Sequence, residues 1–561
     1  MQTTAARFAA LVGHLLYRAG FLPPVAAVLR LGTRLTPRDG ATWAALGHVL
    51  YSMRSYEAAD RAYFWATTHG RQGPLLYARA GITARRLGDL DRAMFTDREA
   101  RLASRGREAE TEAAYRRAMA RRPDDAAFPY GLGVLLQEAG RHAEAEALYR
   151  RTLVLLPEDP LTHNRLGIVL MLAGRTADAE TAYRQAIAHA PGFAQANFNL
   201  GLLYTSLRRY EEAEAAYRRA IASAPNFNEA YYNLGILLGD LRRYPEAEEA
   251  YRQAIGCSPE LDTTFDGLGL LFTERGAEER AAGVGELADR YKRFYAKVYN
   301  NLGNLQEKLG RLAEAEESFR RSLKYHPLSA THGNLGNLLT RLERGPEAEE
   351  AYRQAIALDP DNALAHFNLG CLLRRSGRAA EAEAAYRQAI QRAPRLVAAH
   401  GNLGVLLTSL GRYDEALESF RGALALVPDE APVLNNLLTL ACILGRTEEA
   451  TAYAARLEAL APTDAGLLLT LAGWHRRTGN QDAAARYAAA ARAGVAADDW
   501  YRLALLESVG GNRDAALAHL ARAATQKGFD HRLVQITPGF DWIRADPRFA
   551  AILGPRTPPS P

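Results

Sequence analysis

Residues 363–396 read ALAHFNLGCLLRRSGRAAEAEAAYRQAIQRAPRL, and two apolar patterns lie inside this stretch. His366, Leu369, Gly370 and Leu373 fall at i, i+3, i+4 and i+7, which is one face of a first helix. Gly377 ends that helix; Ala382, Tyr386 and Ala389 then line the inner face of a second, which Pro394 stops. Small side chains at Gly370, Ala382 and Ala389 let the two helices approach closely. Tyr386 is expected to fill the gap between this unit and the next.

The same pattern recurs along the chain. Gly201-Leu202-Leu203-Tyr204 and Gly235-Ile236-Leu237-Leu238 are one period apart, as are Tyr217-Arg218-Arg219-Ala220 and Tyr251-Arg252-Gln253-Ala254. Pro157, Pro191, Pro225 and Pro259 are in register; Pro327, Pro360, Pro394, Pro428 and Pro462 are so to within one residue. A fixed period of this length marks a stacked array of helix pairs. The unit resembles the tetratricopeptide consensus of Trp, Leu-Gly, Tyr, then Ala, Phe, Ala and Pro. That resemblance implies an all-α fold, a right-handed superhelical solenoid of about fifteen helix-turn-helix units with a short C-terminal cap.

Carried along the chain, the frame starts units near residues 6, 40, 74, 126, 160, 194, 228, 262, 296, 329, 363, 397, 431, 465 and 497. Residues 1–107 read as weaker units, the first marked by Val12-Gly13, Leu16, Gly20, Val25, Leu29 and Pro37, the next opened by Trp43-Ala44-Ala45-Leu46-Gly47. Residues 108–125, with Tyr115 and Ala118, read as a second helix lacking its own first helix, which predicts a kink or a boundary there. The main array spans 126–528. Its unit at 262–295 begins well with Phe265, Leu268-Gly269 and Phe272, but Gly283 and Gly285 weaken its second helix. Its closing proline is replaced by Tyr291-Lys292-Arg293-Phe294-Tyr295, which is expected to run on into the next helix. Residues 529–553, with Phe540-Asp541-Trp542-Ile543 and Asp546-Pro547-Arg548-Phe549, read as a cap over the last apolar face, and the Pro-rich 554–561 as a disordered tail.

Composition agrees with an array. Hydrophobic residues make up 48% of the 561 and charged residues 24%, with Ala, Leu, Glu and Arg abundant. A net charge of +5, with Arg and Glu interleaved, builds no basic stripe of nucleic-acid type. Cys257, Cys371 and Cys442 lie far apart without a Cys-x-x-Cys pair, so neither a disulfide framework nor a zinc site is expected, and a reducing cytoplasm of a bacterial cell fits. The apolar run from Phe8 to Leu35 is interrupted by His14, Arg18, the Pro23-Pro24 pair, Arg30 and Arg34, too soon for a membrane span.

No catalytic motif stands out. There is no Gly-Lys pair for a phosphate loop, and Gly131-Leu132-Gly133 and Gly267-Leu268-Gly269 lie in predicted helices, where glycine serves helix contact. His142-Ala143-Glu144 imitates a deaminase motif but lacks its Pro-Cys-x-x-Cys partner. His332, His366 and His400, with His163 earlier, share one place in their units. Neighbouring units set equivalent side chains too far apart for the roughly 2 Å bonds of one metal ion, so packing is expected. No cofactor, no metal and no enzymatic activity are expected.

The place just before the Leu-Gly pair lies on the concave side lined by first helices, and asparagine recurs there: Asn199, Asn233, Asn301, Asn334, Asn368, Asn402 and Asn436, interrupted at Gly267. An uncharged amide both donates and accepts, so a row of them suits a peptide backbone of any sequence. The row is similar to the asparagine ladder of O-linked N-acetylglucosamine transferase, whose catalytic domain is absent here; the resemblance implies a grip on peptide main chain. Bonding to neighbouring helix ends is the competing structural role. Lys297, Asn304, Asn337, Arg341, Arg374 and Arg375 add positive and amide character suited to acidic or carboxylate ligands. Phe198, Tyr232, Asn300, Gly333, Phe367 and Gly401 stand where a chaperone-tail clamp carries lysine, which argues against that ligand. The expected function is a scaffold or adaptor holding an extended segment of another protein in its groove; the alternative is a subunit that regulates an enzyme on another chain. A homo-oligomer or an enzyme complex stays open, with no nucleic acid and no membrane span.

Overall fold

A computed structural model describes residues 22–257, 278–460, 462–526, 529 and 531–553. Every regular element among them is helical, in two compact units, Met1–Gly276 and Ala277–Pro561. In each, helices pair as the sequence expects: Ala363–Arg375 with Ala379–Arg392, Val397–Ser409 with Tyr413–Leu426, Ala194–Ser206 with Tyr210–Ser223. The second helix of one repeat packs on the first helix of the next. Asn362 caps its helix by accepting from the Ala365 amide, and Gly377 closes the first helix with φ +76°.

The pairing rests on one contact. A Cβ added at Gly47, Gly133, Gly167, Gly201, Gly235, Gly303, Gly336, Gly370 or Gly404 would stand 2.5–2.8 Å from the ring sixteen residues later, from Tyr63 to Phe420. Thus Tyr386 lies against Gly370 of its own unit, rather than chiefly filling the gap to the next. In the unit at 431 the sizes are reversed, with buried Leu438 on the first helix and Ala454 on the second. In the unit at 74 the ring is replaced by Asp97, whose buried carboxylate is held by Arg85 at 2.7 Å and by the Tyr130 hydroxyl.

Helix Glu108–Arg121 is the extra helix expected at 108–125. Its Tyr115 packs on Gly131, while Tyr149 packs on Gly133, so helix Ala127–Glu138 receives a ring from each side. Both glycines are therefore helix-contact residues. Helix Glu278–Lys308 runs unbroken through Tyr291–Tyr295 into the unit at 296. Phe265 to Phe272, Gly267 included, the segment before residue 22, and 554–561 lie outside the described residues. No described helix is long and apolar enough to cross a membrane.

The turn after each first helix needs a left-handed residue. Glycine supplies it at 140, 174, 310, 377, 411 and 445, but Arg54, Arg208, Arg242 and Glu343 take it with φ 58–59°. Arg242→Gly is expected to raise stability by about 0.5–1 kcal/mol, because it relieves that conformation. Gly370→Ala should lower stability by about 1–3 kcal/mol through overpacking, with part recovered by a smaller side chain at Tyr386. Chemical-denaturation midpoints of the variants measure both effects.

Candidate functional site

The first helices place the recurring asparagines at equivalent, half-buried positions, and neighbouring units use them. Asn368 Nδ2 donates to Asn337 Oδ1 at 2.9 Å, Asn334 Nδ2 to Asn300 Oδ1 at 3.0 Å, and Asn402 Nδ2 to Cys371 Sγ at 3.4 Å. Asn199, which is buried, donates to Asn164 at 2.9 Å. Asn233 turns to the carbonyl of Glu229 in its own helix, 2.8 Å away. Asn301 accepts from Asn300, and Asn304 and Asn436 are half-buried on the same helical face. At Asn199, Asn334, Asn368 and Asn402 the row thus ties successive first helices side chain to side chain, where the competing reading from sequence expects bonds to helix ends. Asn337 is a junction, since its Oδ1 also accepts the Tyr352 hydroxyl at 2.8 Å.

The expected positive character divides. Arg341 is neutralised by Glu307. Lys297, Arg374 and Arg375 are exposed, and neither Arg374 nor Arg375 forms an ion pair among the described residues.

The recurring histidines serve the turns between units. Nε2 of His163, His366 and His400 meets the carbonyl of Pro157, Pro360 and Pro394, six residues back, at 2.8–3.2 Å. Trp43 and Asn197 make the equivalent bond to Pro37 and Pro191. Burial lowers the His163 and His332 pKa values, as expected of packed imidazoles.

A ladder of ion pairs was missed by sequence reasoning. The arginine before each second helix reaches back to a glutamate on the second helix of the preceding unit: Arg141 to Glu112, Arg175 to Glu146, Arg209 to Glu180, Arg243 to Glu214, Arg344 to Glu316, Arg378 to Glu349 and Arg412 to Glu383, at 2.6–2.9 Å. Each also grips the acid three residues on, Glu144 of the apparent deaminase motif among them. A regular spacing of about one unit less one turn was the signal.

Two features are less regular. Beside helix Glu108–Arg121, a recess of about 470 Å³ is lined by His48, Arg79, Arg117, Arg121, Arg122 and Phe128, with Arg79 held by Asp125 at 2.8 Å. Near the C-terminus, the short helix Pro538–Ile543 lies against first helices Ala465–Arg477 and Trp500–Val509, with Phe540 and Ile543 buried.

Tetratricopeptide-repeat models match residues 164–226, 206–262, 300–363, 334–397, 367–431 and 402–465 in one version and 102–164 in another, together more than half of the chain. The chain belongs to the tetratricopeptide-repeat family. No curated protein matches it. Solved tetratricopeptide-like structures do. MamA is 22% identical, over 31% of this chain and 95% of its own, with a TM-score of 0.26. Pseudomonas aeruginosa pilF is 20% identical, over 42% and 92%, with 0.33. YrrB, described as a TPR protein with an unusual peptide-binding site, is 20% identical, over 39% and 96%, with 0.29. Among the described residues no cluster of His, Cys, Asp and Glu of the kind that holds a metal ion occurs.

One tetratricopeptide position is set to respond to acid. Half-buried His48 lies 2.9 Å from the Tyr63 hydroxyl, and burial, with Arg79 and Arg71 nearby, pushes its pKa down to about 3. Between pH 6.5 and 3 the unfolded chain binds a proton here that the folded chain does not, so stability falls as pH falls through that window. From pH 7 to 4.5 this group should cost about 2 kcal/mol. Denaturation at the two pH values measures it, and His48→Gln is expected to flatten this part of the profile.

Proposed function

We propose that this protein is a non-catalytic scaffold or adaptor that holds an extended segment of a partner protein on the face of its first helices. The tetratricopeptide fold supports protein–protein interaction in general. The observation that carries the finer reading is internal: in the last units, residues 537–543 of the chain already lie on that face, bonded to its side chains. The asparagine row supports it as well. One amide hydrogen ties units together and keeps the row rigid, and the second hydrogen and the carbonyl oxygen suit a peptide backbone. A reducing cytoplasm is the setting that suits the free, well-separated cysteines.

A second reading, in which the chain holds and regulates an enzyme on another polypeptide, draws on the arginine-lined recess beside helix Glu108–Arg121, a surface that suits an acidic patch.

Replacing Asn334, Asn368 and Asn402 together by Ala tests the groove. Affinity for the natural partner, captured from the source cell and purified, should fall by about tenfold or more, which is about 1.4 kcal/mol. The lost inter-unit bonds should also lower the melting temperature modestly, at about 0.5–1.5 kcal/mol each, with helical content retained at the assay temperature. Unchanged affinity moves the binding surface off the first helices.

A further inference from the structure

The segment seated on the last units shows what this face recognises. Asp541 Oδ2 accepts from Arg477 Nη1 at 3.2 Å. The Trp542 ring lies under the Arg476 guanidinium, 4.5 Å from its centroid, and its Nε1 donates to the Ser508 carbonyl at 2.9 Å. The Ser508 hydroxyl donates to the Gly539 carbonyl at 2.6 Å, and Gly539 rests on Leu505 with no room for a Cβ. Carboxylate to guanidinium and indole to guanidinium are both contacts that arginine makes better than lysine.

In the repeat frame Arg476 and Arg477 hold the twelfth and thirteenth places of their unit, and Leu505 and Ser508 the ninth and twelfth of the next. Three units earlier the same places hold Arg374 and Arg375, followed by Val405 and Thr408. The intervening units carry Thr408 and Ser409, then Cys442 and Ile443, so among these units the paired arginine marks only the two positions. Arg374 and Arg375 are exposed, and Val405, an apolar side chain, is 37% exposed. Cys371 stands where Gly473 leaves space at the filled seat, so an occupant lies slightly higher in the earlier one.

We propose that Arg374, Arg375, Val405 and Thr408 form a second, open seat for a short segment of the partner protein in which an acidic residue adjoins an aromatic one. The proposal rests on the groove reading above and names the chemistry of its ligand. The carboxylate pairs with Arg375, as Asp541 does with Arg477; the ring lies under Arg374, as Trp542 lies under Arg476, and the backbone of the segment rests on Val405, as Gly539 rests on Leu505.

The probe is a fluorescent peptide with the sequence of residues 535–546, titrated into the full chain by anisotropy. It is expected to bind, and the same peptide with Asn in place of Asp541 to bind at least about fivefold more weakly. The double variant Arg374→Glu with Arg375→Glu should lose about tenfold or more in affinity. Arg219→Glu, an exposed change on a second helix elsewhere, should bind as the unaltered chain does. Both altered arginines are exposed, Arg374 beside the Tyr386 hydroxyl, and circular dichroism should be unchanged. Equal binding by the double variant, or no binding of the peptide at millimolar concentration, overturns the seat. A chain that loses its natural partner through the asparagine substitutions yet ignores this peptide overturns the seat alone and leaves the groove reading standing.

Discussion

In most of these repeats two helices lie close together because one of them presents bare backbone where the other presents a ring. A first-helix glycine facing a tyrosine or phenylalanine sixteen residues on is the commonest solution here. Leu438 and Ala454 hold the same two places with the sizes exchanged, which fits a constraint on the summed volume between the helices and not on the identity of either residue. Asp97 is the costly exception: a carboxylate in the ring's place needs Arg85 and Tyr130 around it to be tolerated.

Charge adds regularity more than energy. In the seven inter-unit arginine–glutamate pairs the arginines are 35–45% exposed and the glutamates 10–22%, so each pair is partly solvated and contributes about 0.2–1 kcal/mol. Repeated at successive junctions with the same partners, they hold neighbouring second helices at one spacing. The asparagine row does the same for neighbouring first helices. Two unlike ladders therefore fix the two sides of each unit.

The helices, their pairing and the extra helix at 108–121 were legible in the sequence because period and proline register are local and repeated. The direction of the asparagine amides was not, since Asn368 meets Asn337 only once two units are stacked. The ion-pair ladder was visible as spacing, yet charged residues on a helix surface are ordinarily solvated, so nothing in a single unit singles out Arg378 and Glu349. The C-terminal segment reads from sequence as a cap over the last apolar face. That Trp542 turns onto Arg476 and Ser508 depends on which face is free once the array has formed, and no local pattern encodes that.

Among the described residues, helix Ala127–Glu138 differs from its counterparts in having two glycines that receive two rings, Tyr115 from one side and Tyr149 from the other. Between regular repeats, a whole unit can be duplicated or lost by genetic recombination without breaking the pattern, because every junction offers the same partners to whatever follows. Here that freedom ends. An inserted or deleted copy next to this helix would leave a ring without its glycine or a glycine without its ring, so gains and losses of length in descendants of this gene should accumulate on either side of it.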